Sequence, residues 1–146
     1  MMSELITHKD KNYVLTWEYF PSTNLSTNPA KIHTLKNWDE FIDMSNCIVG
    51  KLHVNDLKED IGQIVLQFPN KICMLAIKPD KRNDGLGSML LNRAESIFHD
   101  QFRVRKVALT PQSENLKKFY EDRGYFQTDK VFQDGRIEYK KDLTIK

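Results

Sequence analysis

An apolar run, Ile72 to Ile77, opens into Lys78-Pro79-Asp80-Lys81-Arg82-Asn83-Asp84-Gly85-Leu86-Gly87-Ser88. From Leu86 onward apolar residues recur at helical spacing. Two glycines therefore stand where a helix starts, after a basic loop. Such a turn presents backbone N–H groups with no Cβ in the way, at the positive end of a helix dipole. Lys81 and Arg82 can add charge-assisted bonds, and Ser88 a hydroxyl. The chemistry of this stretch is the holding of a phosphate or similar anion. It is not a Walker loop, because no Gly-Lys-Ser/Thr follows, and not a dinucleotide fingerprint, because the third glycine position holds Leu90.

The elements around this loop follow from periodicity. Glu4–His8 and Lys11–Phe20 read as strands across a turn near Asp10-Lys11. Pro21–Pro29 reads as a polar loop, and Ala30–Ser45, with Ile32, Leu35, Trp38, Phe41 and Ile42 at three- and four-residue spacing, as a helix. Ile48–Val54, Ile61–Phe68 and Lys71–Ile77 read as strands, with an acidic turn over Asn55–Asp60 and a Pro69-Asn70 turn. Leu86, Met89, Leu90, Ala94, Ile97 and Phe98 give an amphipathic helix ending near His99. Lys106–Thr110 is a short buried strand. A helix follows, with Ser113 as N-cap and Gly124 as the residue just past its end. Phe126–Phe132 and Arg136–Leu143 flank Asp134-Gly135, a hairpin signal. The fold class is mixed α/β (α+β): helices covering a largely antiparallel sheet.

At 146 residues the chain fits one domain, spanning 1–146. Its longest apolar run is far too short for a membrane span, and the first ten residues lack a signal pattern, which reads as cytoplasmic. Cys47 and Cys73 sit beside apolar residues and read as reduced, buried thiols. His8, His33, His53 and His99 show no metal-ligand spacing. The net charge of +2 is unevenly spread. Residues 1–70 carry six Lys/Arg against nine Asp/Glu, and residues 71–146 sixteen against eleven. An anionic ligand suits the second half and a cationic one the first. No Lys/Arg run with interleaved aromatics marks a nucleic-acid surface.

Taken together, these motifs carry a family resemblance. Ile77-x-Pro79-x-x-Arg82-x-x-Gly85-x-Gly87, directly after a strand, resembles the acetyl-CoA loop of the GNAT acetyltransferase superfamily. Asn115 with Phe119-Tyr120-Glu121-Asp122-Arg123-Gly124-Tyr125 resembles its second motif, and the final hairpin falls where that family places its last strands. The resemblance covers about residues 72–143. In many members the Asn lies seven residues before the Tyr. Here Asn115 lies five before Tyr120, so its contact to pantetheine competes with a helix-start role.

The resemblance implies a fold in which Met74–Ile77 splays from Val107–Thr110, with acetyl-CoA as co-substrate in the gap and no metal. The donor would be held by Leu75, Ala76, Ile77, Arg82, Asn83, Asp84, Gly85, Leu86, Gly87, Ser88, Asn115 and Tyr120. It further implies transfer of acetyl to a primary amine by direct attack in a ternary complex. The backbone N–H near Ile77 would hold the oxyanion, and the Tyr120 phenol would protonate the leaving thiolate. Glu59, Asp60 and Glu114 are the positional candidates for a base. Glu18 and Glu138 are strand carboxylates that could line the pocket, and Trp17, Tyr19 and Trp38 either bound an acceptor cleft or pack in the core. The acceptor is left open among a small amine, a peptide N-terminus and a protein lysine, and the family often forms homodimers. A catalytically weak CoA-binding regulator, and an interaction domain without a CoA site, remain alternative readings.

Overall fold

The computed structural model describes residues 2–20, 47–54, 60–67, 69–82 and 84–144. The loop expected over Pro21–Pro29, the helix expected over Ala30–Ser45 with its Trp38, and positions 55–59, 68 and 83 lie outside the described residues.

The described chain opens with a hairpin of β1 (Met2–His8) and β2 (Lys11–Phe20). The two-residue turn is Lys9-Asp10, with φ of 51° and 67°, closed by the pair His8 and Lys11. Positive φ at both central residues is the type I′ geometry that matches strand twist. The turn therefore falls one residue earlier than the sequence reading placed it. β3 (Cys47–Val54), β4 (Asp60–Gln67) and β5 (Lys71–Ile77) continue as an antiparallel meander. Six consecutive residues of β4, Ile61–Leu66, are buried. Both faces of this central strand are covered, which is why it reads as a near-continuous apolar run.

After the glycine loop comes α1 (Leu86–Ser96). It buries Leu86, Leu90, Leu91 and Ala94. A widened π-type turn over Ile97–Gln101 lets both Ile97 and Phe98 enter the core. Arg103 at φ 58° ends it, and the Val104 N–H returns to the Phe98 carbonyl at 2.9 Å. Gly62 on β4 permits α1 to lie close to the sheet. A Cβ there would stand 2.9 Å from Ile77 Cδ1 and 3.2 Å from Leu90 Cδ1. β6 (Lys106–Leu109), α2 (Glu114–Glu121), β7 (Phe126–Val131) and β8 (Ile137–Asp142) complete the described elements.

All eight strands form one sheet in the order β1-β2-β3-β4-β5-β6-β8-β7. Every neighbouring pair is antiparallel except β5 and β6. That parallel pair is short: Lys71 meets Ala108, Ile72 meets Leu109, and pairing stops. The cause lies on the other side of β5, where the register against β4 shifts between Val65 and Leu66. A bulge inserts one residue, bends its strand and raises the local twist. β5 stays on β4 and leaves β6, so a gap opens beyond Ile72 along the edge of Cys73–Ile77. The main core lies on the α1 face of the sheet and joins Ile64, Leu66, Ile72, Leu90, Phe98, Leu109 and Tyr139.

Candidate functional site

The gap between β5 and β6 forms one wall of a cleft of about 710 Å³. Leu75, Ala76 and Ile77 line it from the sheet, the loop and first turn of α1 from one side, and α2 from the other. The Lys78 N–H donates to the Ile61 carbonyl at 2.9 Å, toward β4. Strand alternation then turns the N–H and C=O of Ile77 and Leu75 to the opposite edge, into the gap. There the Ile77 carbonyl accepts from Arg82 Nε at 2.9 Å.

The cradle at the head of α1 is built as its glycines require. Gly85 is the N-cap at φ 80°, ψ 5°, with no side-chain cap. A Cβ at Gly85 would be strained by that φ and would lie 3.2 Å from His8 Cε1. The Met89 N–H reaches back to the Gly85 carbonyl at 3.0 Å. The amides of Leu86, Gly87 and Ser88 precede that first bond, so they have no acceptor within the helix. The β1–β2 turn braces the loop from outside. His8 Nε2 donates to the Asp84 carbonyl, and Lys9 Nζ lies 2.9 Å from Asp84 Oδ1. That ammonium, through its hydrogen bond first, holds the Asp84 carboxyl below its usual range.

Tyr120 reaches the cleft because of how α2 starts and stops. Ser113 Oγ caps the helix by accepting from the Leu116 N–H at 3.3 Å. At the other end the Tyr125 N–H bonds the Tyr120 carbonyl, the Gly124 N–H bonds that of Glu121, and Gly124 has φ 96°. This is a Schellman motif, and its usual apolar contact is here the edge-on packing of Tyr120 on Tyr125, with centroids 5.6 Å apart. Tyr120 is 6% exposed. Its hydroxyl makes no hydrogen bond within the described residues, whereas Tyr125 donates to Glu95 Oε2 at 2.8 Å. Burial pushes the Tyr120 phenol up to about 12, against the opposing pull of the Arg123 cation.

Arg123 was not assigned from the sequence, although it sits inside the Tyr120–Tyr125 motif. Its guanidinium lies 3.7 Å over the Phe119 ring, Nε donates to Ser88 Oγ at 3.0 Å, and Nη1 donates to the Phe119 carbonyl at 2.8 Å. It fastens the end of α2 to the first turn of α1. Phe119, Gln112, Ser113 and Leu116 also line the cleft without having been singled out for it. Lys81, Arg82 and Arg123 are cationic lining residues, and no Asp or Glu lines the cleft among the described residues. Such a site favours an elongated ligand with an anionic head and an apolar arm.

Of the other residues read from the sequence, Leu75, Ala76, Ile77, Arg82, Gly85, Leu86, Gly87, Ser88 and Asn115 converge on this cleft with Tyr120. Asp84 faces the hairpin turn instead. Glu114 is exposed and ion-paired with Lys117 at 2.8 Å, outside the lining. Asp60 starts β4, with Lys51 at 4.0 Å. Glu18 is exposed on β2, and Glu138 accepts from Thr128 Oγ1 at 3.2 Å. Trp17 is buried, its indole N–H donating to Glu4 at 2.7 Å, so it packs in the core. The Tyr19 side chain, Glu59, Asn83 and Trp38 lie outside what is described.

Comparison with known proteins agrees with this geometry. Residues 22–141 match the acetyltransferase (GNAT) domain, and the chain belongs to that family of acetyltransferases. Three solved structures illustrate the likeness. The PaiA N-acetyltransferase from Thermoplasma acidophilum, in complex with coenzyme A, is 19% identical with a TM-score of 0.58 over 67% of this chain. This chain spans 62% of that protein's length. The F149G mutant of the spermidine N-acetyltransferase SpeG from Vibrio cholerae is 16% identical, TM-score 0.60, over 89% of this chain and 94% of that one. A GCN5-related N-acetyltransferase from Rhodopseudomonas palustris is 14% identical, TM-score 0.57, over 95% and 98%. No curated protein sequence matches the chain. None of the described helices is long and apolar enough to cross a membrane.

Proposed function

We propose that the protein moves an acetyl group from acetyl-CoA to a primary amine by direct attack. The observation that carries this reading is the cleft itself: a strand edge that β6 leaves beyond Ile72, a helix-start cradle and a phenol without a hydrogen bond among the described residues face one space. The pyrophosphate of CoA lies against the amides of Leu86–Ser88 with Arg82 and Lys81. The pantetheine arm pairs with the exposed edge of Leu75–Ile77, as a substitute for the missing β6 neighbour. Asn115 borders the arm from α2.

The neutral amine attacks the thioester carbonyl carbon. An ammonium has no lone pair to attack with, so its proton leaves first, to water or a carboxylate. The Ile77 N–H, aimed into the gap, stabilises the oxyanion. Collapse breaks the C–S bond, the Tyr120 hydroxyl donates its proton to the departing thiolate, and the proton that the attacking nitrogen sheds on becoming an amide returns through solvent to the phenolate. A phenol held up to about 12 stays protonated throughout the neutral range, as a donor must. Glu59 and Glu114 are the residues proposed as base, Glu114 requiring release from Lys117. The spermidine N-acetyltransferases of the same fold favour a small polyamine as acceptor, in keeping with the acidic first half of the chain.

The test is a panel of primary amines, including spermidine and lysine peptides, scored by acetyl-CoA-dependent release of free thiol. Turnover with an amine above the hydrolysis background supports the reading. Tight acetyl-CoA binding with no turnover on any amine would favour a regulatory domain of the same fold.

A further inference from the structure

The cradle at the head of α1 owes the orientation of one peptide to a distant strand. His8 ends β1, 76 residues before Asp84, and its Nε2 bonds the Asp84 carbonyl. A carbonyl oxygen only accepts, so Nε2 carries the ring proton. The imidazole also packs on Gly85: a Cβ there would stand 3.2 Å from Cε1 and 3.3 Å from Nε2. Lys9, next in the turn, takes the Asp84 carboxylate at 2.9 Å. It does so from φ 51°, a conformation that a lysine adopts at a cost. Both groups of Asp84 that would repel an anion, its carboxylate and its carbonyl, are thus turned to the hairpin.

Peptide geometry carries this into the cleft. In a planar trans peptide the C=O and the N–H point in opposite directions. With the Asp84 carbonyl held by His8, the Gly85 N–H points away from the hairpin. It donates to no backbone acceptor among the described residues, and Gly85 borders the cleft. Glycine takes positive and negative φ about equally well. The Asp84–Gly85 peptide could therefore turn over at little conformational cost. Turned over, it would present a carbonyl oxygen where an anion has to sit. The bond from His8 holds it in the orientation that favours the anion.

We infer that His8 is a positioning residue for the donor: by holding the Asp84 carbonyl it aims the Gly85 N–H at the CoA pyrophosphate, beside the amides of Leu86, Gly87 and Ser88. This rests on the acetyl-transfer reading given above. His8 does not line the cleft, and it acts through the peptide it holds.

Calorimetric titration with acetyl-CoA compares the unaltered protein with three variants. His8→Ala and His8→Leu lack the donor, and His8→Gln carries a side-chain N–H that can reach the same carbonyl. Affinity should fall about tenfold or more in the two donorless variants, as for one lost hydrogen bond to a charged group. It should stay within twofold in His8→Gln. In amide NMR spectra the Gly85 proton should move downfield when CoA is added to the unaltered protein and to His8→Gln. A residue that served only the fold would leave no such signature. Unchanged affinity in a donorless variant that melts cooperatively overturns the inference. So does a His8→Gln protein as weak as His8→Ala, or a Gly85 resonance that stays in place at saturating CoA. If the unaltered protein binds no acetyl-CoA, the acetyl-transfer reading falls and the inference with it. If it binds and all three variants bind alike, the inference alone falls.

Discussion

Arg123 Nε donates to Ser88 Oγ across 3.0 Å, joining the turn that follows α2 to the first turn of α1. The same guanidinium stacks on Phe119 and bonds its carbonyl. One side chain thereby sets the width of the cleft between the cradle and Tyr120. Arg123→Ala should lower stability by about 1–3 kcal/mol, combining a cation–π contact with two hydrogen bonds. Arg123→Lys should recover little, since an ammonium cannot reproduce the planar fork. Thermal melts with acetyl-CoA titrations of both variants check this, and weakened donor binding is expected in each.

Tyr120→Phe keeps the edge-on packing against Phe119 and Tyr125 and removes only the proton donor. The expected outcome is a kcat lowered by about 10²-fold or more with acetyl-CoA affinity unchanged. Because burial raises the phenol to about 12, its deprotonation should not limit the unaltered enzyme below pH 10. The rate should climb with pH as the amine loses its proton and then level off. A descending limb near pH 8 that vanishes in Tyr120→Phe would contradict the assignment.

The two glycines of the cradle should behave differently. Gly85 sits at φ 80° with His8 against it, so Gly85→Ala forces strain and should disturb the loop whether or not ligand is present. At Gly87 a new Cβ would meet Phe119 Cζ at 3.6 Å and Ile77 Cγ1 at 3.7 Å, ordinary contact distances. Gly87→Ala should therefore fold normally. Gly87→Trp should fill the cleft and block acetyl-CoA. Melting temperatures separate the first effect from the second.

Among the described residues, three cations and no carboxylate line the cleft. Acetyl-CoA affinity should accordingly fall as salt rises, because the Debye length shrinks from about 10 Å at 0.1 M to about 3 Å at 1 M. Titration at several ionic strengths measures the slope. An affinity indifferent to salt would place the pyrophosphate elsewhere.

Much of this site was legible before any coordinates, because its signals are local. Gly85 is needed where φ is positive, Ser113 where a helix begins and Gly124 where one ends. Each such requirement leaves its mark on a residue type. The order of the described elements and the hairpin at Asp134-Gly135 were readable for the same reason. Arg123 was not, since its role depends on α2 ending beside α1, a tertiary adjacency no spacing encodes. The bulge in β5 that opens the cleft carries no glycine to announce it.

The central claim is that the cleft between β5, α1 and α2 holds acetyl-CoA. Calorimetric titration of the unaltered protein with acetyl-CoA, beside Gly87→Trp, tests it most directly. A single site is predicted, with a dissociation constant within the roughly 1 μM–1 mM range of enzyme substrates and loss of binding in a Gly87→Trp variant that still melts cooperatively. No binding to the unaltered protein at millimolar acetyl-CoA, or equal binding to both proteins, would contradict it.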